Sequence, residues 1–269
     1  DWSSDVCSSD LYTSPDQSGC REQVVYFDGL GRPSQTVDCG ITPDRKDLVS
    51  LQEYDDQGRK LRTWLPAKSA GNGNYMPLSS LQSGASSLAG GDVRPYLQTT
   101  YEASPLNRPV AQHGVGEAWV EHPVSYQYIT RDPRSFSWLY YKIPSGNFLG
   151  VCTTDEDGNP AYEFKDGLGR TILAGRMDGP DPYFVYYQYN NHDDLVNVYP
   201  PFVTYPKMHE PEGPFDTQSS YSYRNDFLHR CVYKKLPERD AIYYIYDHGD
   251  HQVFSQDGEQ RVRGEWAFS

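Results

Sequence analysis

The chain has 269 residues, a net charge of −13 and a mean hydropathy of −0.75. That hydropathy, with no run near the roughly 20 apolar residues of a spanning helix, excludes a helical membrane span. The acidic balance argues against nucleic acid, whose phosphates call for a basic face, and against anionic membrane surfaces. Tyr (23) outnumbers Phe (10), and 20 Pro with 23 Gly leave little room for long helices. Tyr favours strands and keeps a polar tip for water. The length admits one large all-β unit or about two domains.

Residues 1–11, DWSSDVCSSDL, resemble the translated read-through of a sequencing adapter and are left out of fold reasoning. On that reading the natural start is missing, and the chain is also cut at Ser269, just after a strand-like GEWAFS. A polar lead-in at 12–19 precedes two hairpin units in 20–66. The first turns at Tyr26-Phe27-Asp28-Gly29-Leu30-Gly31-Arg32 and the second at Tyr54-Asp55-Asp56-Gln57-Gly58-Arg59. After the second turn Leu61, Thr63 and Leu65 alternate with Lys60, Arg62 and Trp64, the period-two signal of a strand. Residues 67–98 are Ser/Gly-rich and read as a loop insertion with a short helix near Leu78–Leu88. Strand returns over 99–150, most clearly in SFSWLYYKI (135–143).

Residues 151–269 are nearly continuous repeat. They hold a third good copy, Phe164-Lys165-Asp166-Gly167-Leu168-Gly169-Arg170. Looser copies are Tyr189…Asp194, Tyr223…Arg230 and Tyr246-Asp247-His248-Gly249-Asp250-His251, with Tyr101…Arg108 earlier in the chain. A second loop, 200–218, carries five Pro and cannot lie inside a sheet. In each copy an aromatic residue is followed five to seven positions later by a polar one, usually Arg, with turn formers between. Asp and Asn bond their own backbone two residues on, and Gly takes the positive-φ positions of hairpin loops. A lone hairpin is marginal in water, so the units must pair side by side. A repeat of this kind signals an architecture before it signals a catalytic site.

YFDGLGRPSQTV and EYDDQGRKLRTWLP, with TYEASPLNRPVAQHGVG (100–116), 153–173 and 223–266, resemble the bacterial RHS or YD-repeat proteins over most of residues 20–269. Residues 12–66 look like the domain of unknown function that opens many of these proteins, 67–98 like an insertion, 99–150 like a β segment, and 151–269 like degenerate repeats. Two turns depart from the pattern: 189–194 lacks Gly and Arg, and His251 stands where Arg is usual. The resemblance implies a mostly β fold, antiparallel hairpin repeats forming an extended, curved sheet that is part of a hollow shell. It also implies a non-enzymatic scaffold, secreted or at the cell surface, that encloses a variable C-terminal segment, often a toxin used in bacterial competition. Its partners would be the remaining repeats and the C-terminal cargo of the same chain, with a cell-surface glycan or protein as a possible further ligand. The family's self-cleaving core motif is absent here, so no catalytic residue transfers.

The residues themselves offer no competing chemistry. Gly-x-Ser-x-Gly, His-Glu-x-x-His and Walker patterns are absent, and Met76 spoils the GNGNYM stretch as a dinucleotide fingerprint. Asp155, Asp157 and Asn159 are spaced like the first ligands of a calcium loop, yet Pro160 sits where that loop needs Gly. His248, Asp250 and His251 lie on a repeat turn, where exposure is the default. The expectation is therefore no catalytic residue, no metal and no cofactor. Structural roles fall to the turn residues Tyr26, Asp28, Gly31, Arg32, Tyr54, Asp55, Gly58, Arg59, Asp166, Gly169, Arg170, Tyr246 and Asp247. The repeat arginines, Arg108 and Arg230 included, are read as pairing with nearby acids or lying over Tyr rings. A carbohydrate-binding β-module, stacking sugars on exposed Trp64, Trp119 and Trp138, is the alternative; a glycoside-active enzyme is a distant third.

Four cysteines lie outside the first eleven residues: Cys20, Cys39, Cys152 and Cys231. None forms a C-x-x-C pair, and buried free thiols are the default reading. A turn at Asp28–Gly31 with Tyr26 opposite Pro33 places Cys20 opposite Cys39, within reach of a disulfide if the protein is exported.

Overall fold

The computed structural model describes residues 6–12, 20–130, 148–179, 181–204 and 218–268. The chain is mostly antiparallel β and falls into two compact units, one of residues 1–126 with 154–159, the other of 127–153 with 160–269.

In the first unit β1 (Val6–Tyr12), β2 (Cys20–Phe27), β3 (Pro33–Asp38) and β4 (Asp47–Tyr54) pair in chain order. All of β1 but Tyr12 comes from the segment that the adapter resemblance sets aside, yet the strand pairs with β2 from Val6 opposite Tyr26 to Tyr12 opposite Cys20. β5 (Lys60–Trp64) and β6 (Ala67–Ser69) both pair with β4, end to end along its length, with Leu65 and Pro66 between them. Pro66 lacks the N–H that would carry the ladder across the gap. β5 leaves to pair with β7 (Tyr96–Tyr101), which continues to β8 (Pro109–His113) and β9 (Val124–Ile129).

Alternation puts Val24 and Tyr26, then Val37, then Val49 and Leu51 on one buried face. Trp64 and Ala67 join them, and α1 (Leu78–Leu88) covers the face with Leu81 and Ala85, both fully buried. Serine-rich and without a side-chain N-cap, α1 owes its stability to this packing. Its Gly84 lets the helix lie close on the sheet: a Cβ there would sit 2.9 Å from Ala67 Cβ.

Two buried polar side chains fasten the chain between β6 and α1. The Gln35 amide donates to the Met76 carbonyl (2.7 Å) and accepts from the Met76 N–H (3.1 Å). The Asp47 carboxylate accepts from the N–H groups of Gly40, Asn72 and Gly73 at 2.8–2.9 Å. The Tyr26 hydroxyl donates to the Gly73 carbonyl at 2.7 Å. A stretch that composition marks as loop is thus tied down at both ends.

The second unit runs β10 (Leu149–Thr154), β11 (Pro160–Lys165), β12 (Thr171–Asp178), β13 (Asp181–Tyr189), β14 (Leu195–Tyr199), β15 (Tyr221–Asn225), β16 (Cys231–Lys235), β17 (Ile242–Tyr246) and β18 (Gln252–Gln256). From β11 onward each strand pairs with the next, and β18 pairs with β19 (Ala267–Phe268). Between these last two lies α2 (Gly258–Arg263), closed by an Asp257–Gln260 capping box. The core is Phe148, Phe164, Ile172, Leu173, Phe184, Tyr186, Tyr199 and Val203. Val203 belongs to a helical turn at 201–204. The remainder of the proline-rich loop and the SFSWLYYKI strand, with Trp138, lie outside the described residues.

The first hairpin corrects the thiol register. Phe27, not Tyr26, faces Pro33, and a bulge between Tyr26 and Phe27 sets Tyr26 opposite Gln35. The Cys39 N–H donates to the Glu22 carbonyl, Cys20 faces Tyr12, and Cys39 is a free thiol. The Cys20–Cys39 bond is not formed. An extra residue at the turn and another at the bulge displace the two cysteines from the alignment that an unbroken ladder gives.

Candidate functional site

The turns are built to one plan. In the first, Asp28 N–H donates to the Arg32 carbonyl and Gly31 N–H to the Asp28 carbonyl, each at 2.9 Å. Asp28 Oδ1 accepts from the N–H groups of Leu30 and Arg32 (2.9 and 3.0 Å), while Oδ2 takes Arg32 Nε and Nη2 (2.8 and 2.7 Å). One carboxylate therefore caps the loop with one oxygen and holds the arginine with the other. Asp55 with Arg59, Asp166 with Arg170, and Asp226 with Arg230 repeat the arrangement. The residue before the arginine has positive φ every time: Gly31, Gly58, Gly169 and His229. In the looser copies Asn107, Asp193 and Asp250 take that conformation, which Asn and Asp tolerate better than most side chains.

Where the motif departs from the rule, other atoms do the same work. Glu102 replaces Asp; its longer side chain spans a longer loop to take both Arg108 Nε and Nη2 (2.8 and 2.7 Å). Arg108 and Ser104 hold its carboxyl down to about 2. Asn190 Oδ1 caps its turn as an Asp would, accepting from His192 and Asp194 N–H. Asp247 caps the last turn, and His251 takes the arginine's place beside it at 3.2 Å.

Four of these arginines also reach the following turn. Arg32 lies over the Tyr54 ring (4.3 Å), Arg59 over Tyr101 (4.5 Å), Arg170 over Tyr189 (4.8 Å) and Arg230 over Tyr246 (5.0 Å). The same tyrosines donate their hydroxyls back to the carbonyl just after each arginine, at Pro33, Lys60, Thr171 and Cys231 (2.9–3.1 Å). The guanidinium then touches the positive-φ residue of the next loop: Asn107 Oδ1 for Arg59 (3.3 Å), Asp193 Oδ1 for Arg170 (2.6 Å) and Asp250 Oδ1 for Arg230 (2.7 Å). Gly58 has no side chain to offer, and Arg32 Nη1 lies 2.9 Å from where its Cβ would stand.

One link has its charges exchanged. Asp194 occupies the arginine position, and His229, at positive φ in the next turn, brings Nδ1 to 2.6 Å from Asp194 Oδ1. The hydrogen bond and the charge of Asp194 raise the His229 pKa, and His229 in turn lowers that of Asp194. A raised histidine pKa adds stability that is complete at low pH and is lost as pH rises through its folded value. We predict that His229, followed by NMR, titrates above the ordinary 6.5 and returns to about 6.5 in Asp194→Asn. The link should weaken as pH rises through the His229 pKa, and again as pH falls through the lowered pKa of Asp194.

Asp28, Asp55, Asp166 and Asp247 cap their turns, whereas Tyr26 lies in the core and donates its hydroxyl to the Gly73 carbonyl. The calcium-like trio is spent on the same loop geometry: Asp155 accepts from Asp157 N–H, Asn159 N–H and Asn159 Nδ2 of its own turn. Asp250 is taken by Arg230 and His251 by Asp247. Trp64 is buried in the core rather than offered to a sugar, while Trp119 is about half exposed. Among the described residues no group of His, Cys, Asp and Glu is placed to hold a metal ion, and no helix is long and apolar enough to cross a membrane. A depression of about 420 Å³ at β14–β16 contains Arg224, Tyr233 and Lys235, and its Ser222 hydroxyl donates to Asn197 Oδ1.

Residues 4–130 match the family described as a domain of unknown function, DUF6443. The fold matches solved toxin-complex structures. The crystal structure titled TcdB2-TccC3-TEV aligns with TM-score 0.59 at 15% identity, covering 94% of this chain and 12% of that one. The crystal structure of TcdB2-TccC3 gives 0.58 at 14%, covering 94% and 13%. The chain shares the fold of these toxin-complex structures. A third match, the Photorhabdus luminescens Tc holotoxin pore, gives 0.58 at 14% over 94% of this chain and 12% of that one. The chain therefore spans about an eighth of the length of the structures it resembles. No curated protein matches it.

In the repeat turns the carboxylate is the keystone. Burial raises the Asp166 pKa, but the hydrogen bonds from Arg170 and Leu168 outweigh it and leave the pKa lowered. Asp166→Ala removes two loop caps and the arginine fork together, and we expect a loss of about 1–2 kcal/mol in urea unfolding. Asp166→Asn, which keeps the caps as Asn190 does, should lose less.

Proposed function

We propose that the chain is a non-enzymatic stretch of wall in a larger RHS/YD-repeat scaffold. The observation that carries this reading is the turn-to-turn link: an arginine laid on the next hairpin's tyrosine, whose hydroxyl returns to the arginine's own hairpin. Such a link repeats without a terminus of its own, so it suits a sheet that grows by adding hairpins. The toxin complexes that share the fold support the same role. On this reading the wall encloses or presents a variable C-terminal segment, a toxin in many such chains, and serves bacterial competition or surface interaction from a secreted or surface location. Its partners are the further repeats and the cargo of the full-length chain.

Protease protection tests this. In the full-length product, the C-terminal segment should resist a non-specific protease while the wall is intact. Arg59→Ala combined with Arg170→Ala, which breaks one link in each unit, should expose it. A segment cleaved equally fast in the unmodified protein would overturn the enclosing role.

A further inference from the structure

Where β5 pairs with β7 in the first unit, three buried donors have no hydrogen-bond partner: Arg62 Nε, Arg94 Nε and Trp64 Nε1. They are gathered on one ring. The guanidinium carbons of Arg62 and Arg94 lie 5.0 and 5.3 Å from the centre of Tyr96, and the Trp64 ring lies 4.6 Å from it. Trp64 is more than nine-tenths buried. Buried N–H groups are nearly always paired, because a donor taken from water without an acceptor loses its full hydration. Three such donors in one place call for an acceptor from outside the fold.

The chemistry of that acceptor follows from what each group already holds. Arg62 uses Nη1 for Glu53, at a long 3.5 Å, which leaves its Nε–Nη2 edge unspent. Arg94 uses Nη2 for Gln98 at 3.3 Å, again long, and not Nε. Glu53 is shared with Gln82, and the carboxylate of Asp92 is turned to the backbone N–H groups of Arg94 and Glu117. Neither Nε is therefore spent on a carboxylate of the fold. A planar guanidinium edge fits a planar carboxylate with two parallel hydrogen bonds. We propose that Arg62, Arg94 and Trp64 form a carboxylate-binding site around Tyr96. The carboxylate belongs either to a free small acid or to an Asp or Glu side chain of a segment docking over this pair of strands.

A titration of the ¹⁵N-labelled 269-residue chain decides the matter. Sodium glutarate represents the free acid, blocked glutamate (acetyl-Glu-amide) the side chain, and sodium chloride at equal ionic strength is the control. The indole N–H of Trp64, assigned through Trp64→Phe, and the Nε–H signals of both arginines should shift saturably with a carboxylate and not with chloride. Arg94→Lys keeps the charge but has no Nε–H, and should weaken binding by about tenfold or more. Tighter binding of blocked glutamate assigns a side chain as the source; tighter binding of glutarate assigns a small acid. The absence of saturable shifts in the unmodified chain, or equal shifts with chloride, would overturn the site and leave the donors to water alone. Unchanged affinity in Arg94→Lys would do the same.

Discussion

Replacing Asp47 with Ala should unfold the first unit, or cost it about 4 kcal/mol or more, the largest effect of any polar substitution in the chain. The side chain is almost fully buried at an inward-facing strand position, where an apolar residue would be the default. Burial raises its pKa, yet three backbone N–H groups outweigh burial and leave the pKa lowered, so the carboxylate is charged at neutral pH. Removing it strands the N–H groups of Gly40, Asn72 and Gly73, two of them 25 or 26 residues away in sequence. The chain from 70 to 76 then loses an anchor, and with it the seat of Tyr26 and the approach to α1. Asp47→Asn should fall between, since an amide oxygen still accepts but without charge. Because the folded pKa is depressed, this contribution is present above the ordinary carboxylate range and is lost as pH falls through the folded value. Unfolding in urea, followed by amide exchange at Gly73, measures both variants; a loss below about 1 kcal/mol would mean that the three N–H groups find water instead.

The turns were legible because their chemistry is local. Asp28, Gly31 and Arg32 determine one another within a few residues, and so do Asp55, Gly58 and Arg59. The link between turns was not legible in the same way. Arg59 meets Tyr101 across an inserted helix and strand, and no local pattern couples them. The signal was present only as a coincidence repeated along the chain: a polar residue closing one turn, an aromatic opening the next. The exchanged pair makes the point sharply. Asp194 breaks the sequence rule and His229 takes a conformation usually left to Gly, and only their meeting explains either.

Register was lost for a different reason. Hairpin bulges next to the turns recur in the ladders of β2–β3, β4–β5, β11–β12 and β17–β18, and each adds a residue that alternation cannot reveal. Alternation did separate Trp64 from Thr63 and Leu65, but did not say which face is buried. That depended on α1, a Ser-rich helix with weak intrinsic preference, coming down over the Trp64 side.

Gly175→Ala should be the most damaging small substitution in the second unit. Gly175 lies mid-strand in β12 between Phe184, a fully buried aromatic of β13, and Tyr162 of β11, whose ring lies 6.1 Å from that of Phe184. A Cβ at Gly175 would overlap the Tyr183 carbonyl oxygen and come within 2.7 Å of Phe184 Cα. Both obstacles are backbone, so no rotamer change relieves them; the two strands must separate. Separation breaks the ladder on both sides of the pair and lifts Phe184 from the core it shares with Leu173 and Tyr186. Overpacking a core costs about 1–3 kcal/mol when side chains can shift, and the rigid contact here places the cost at or above the upper end. Gly179, at the tip of the β12–β13 hairpin, provides the control. Its φ is positive, but nothing lies within 4 Å of its Cβ position, so Gly179→Ala should cost only about 1 kcal/mol, the strain of a left-handed alanine. Similar losses for the two variants in thermal unfolding would show that β12 and β13 are free to part at Gly175, and that the close approach is not what holds Phe184 in place.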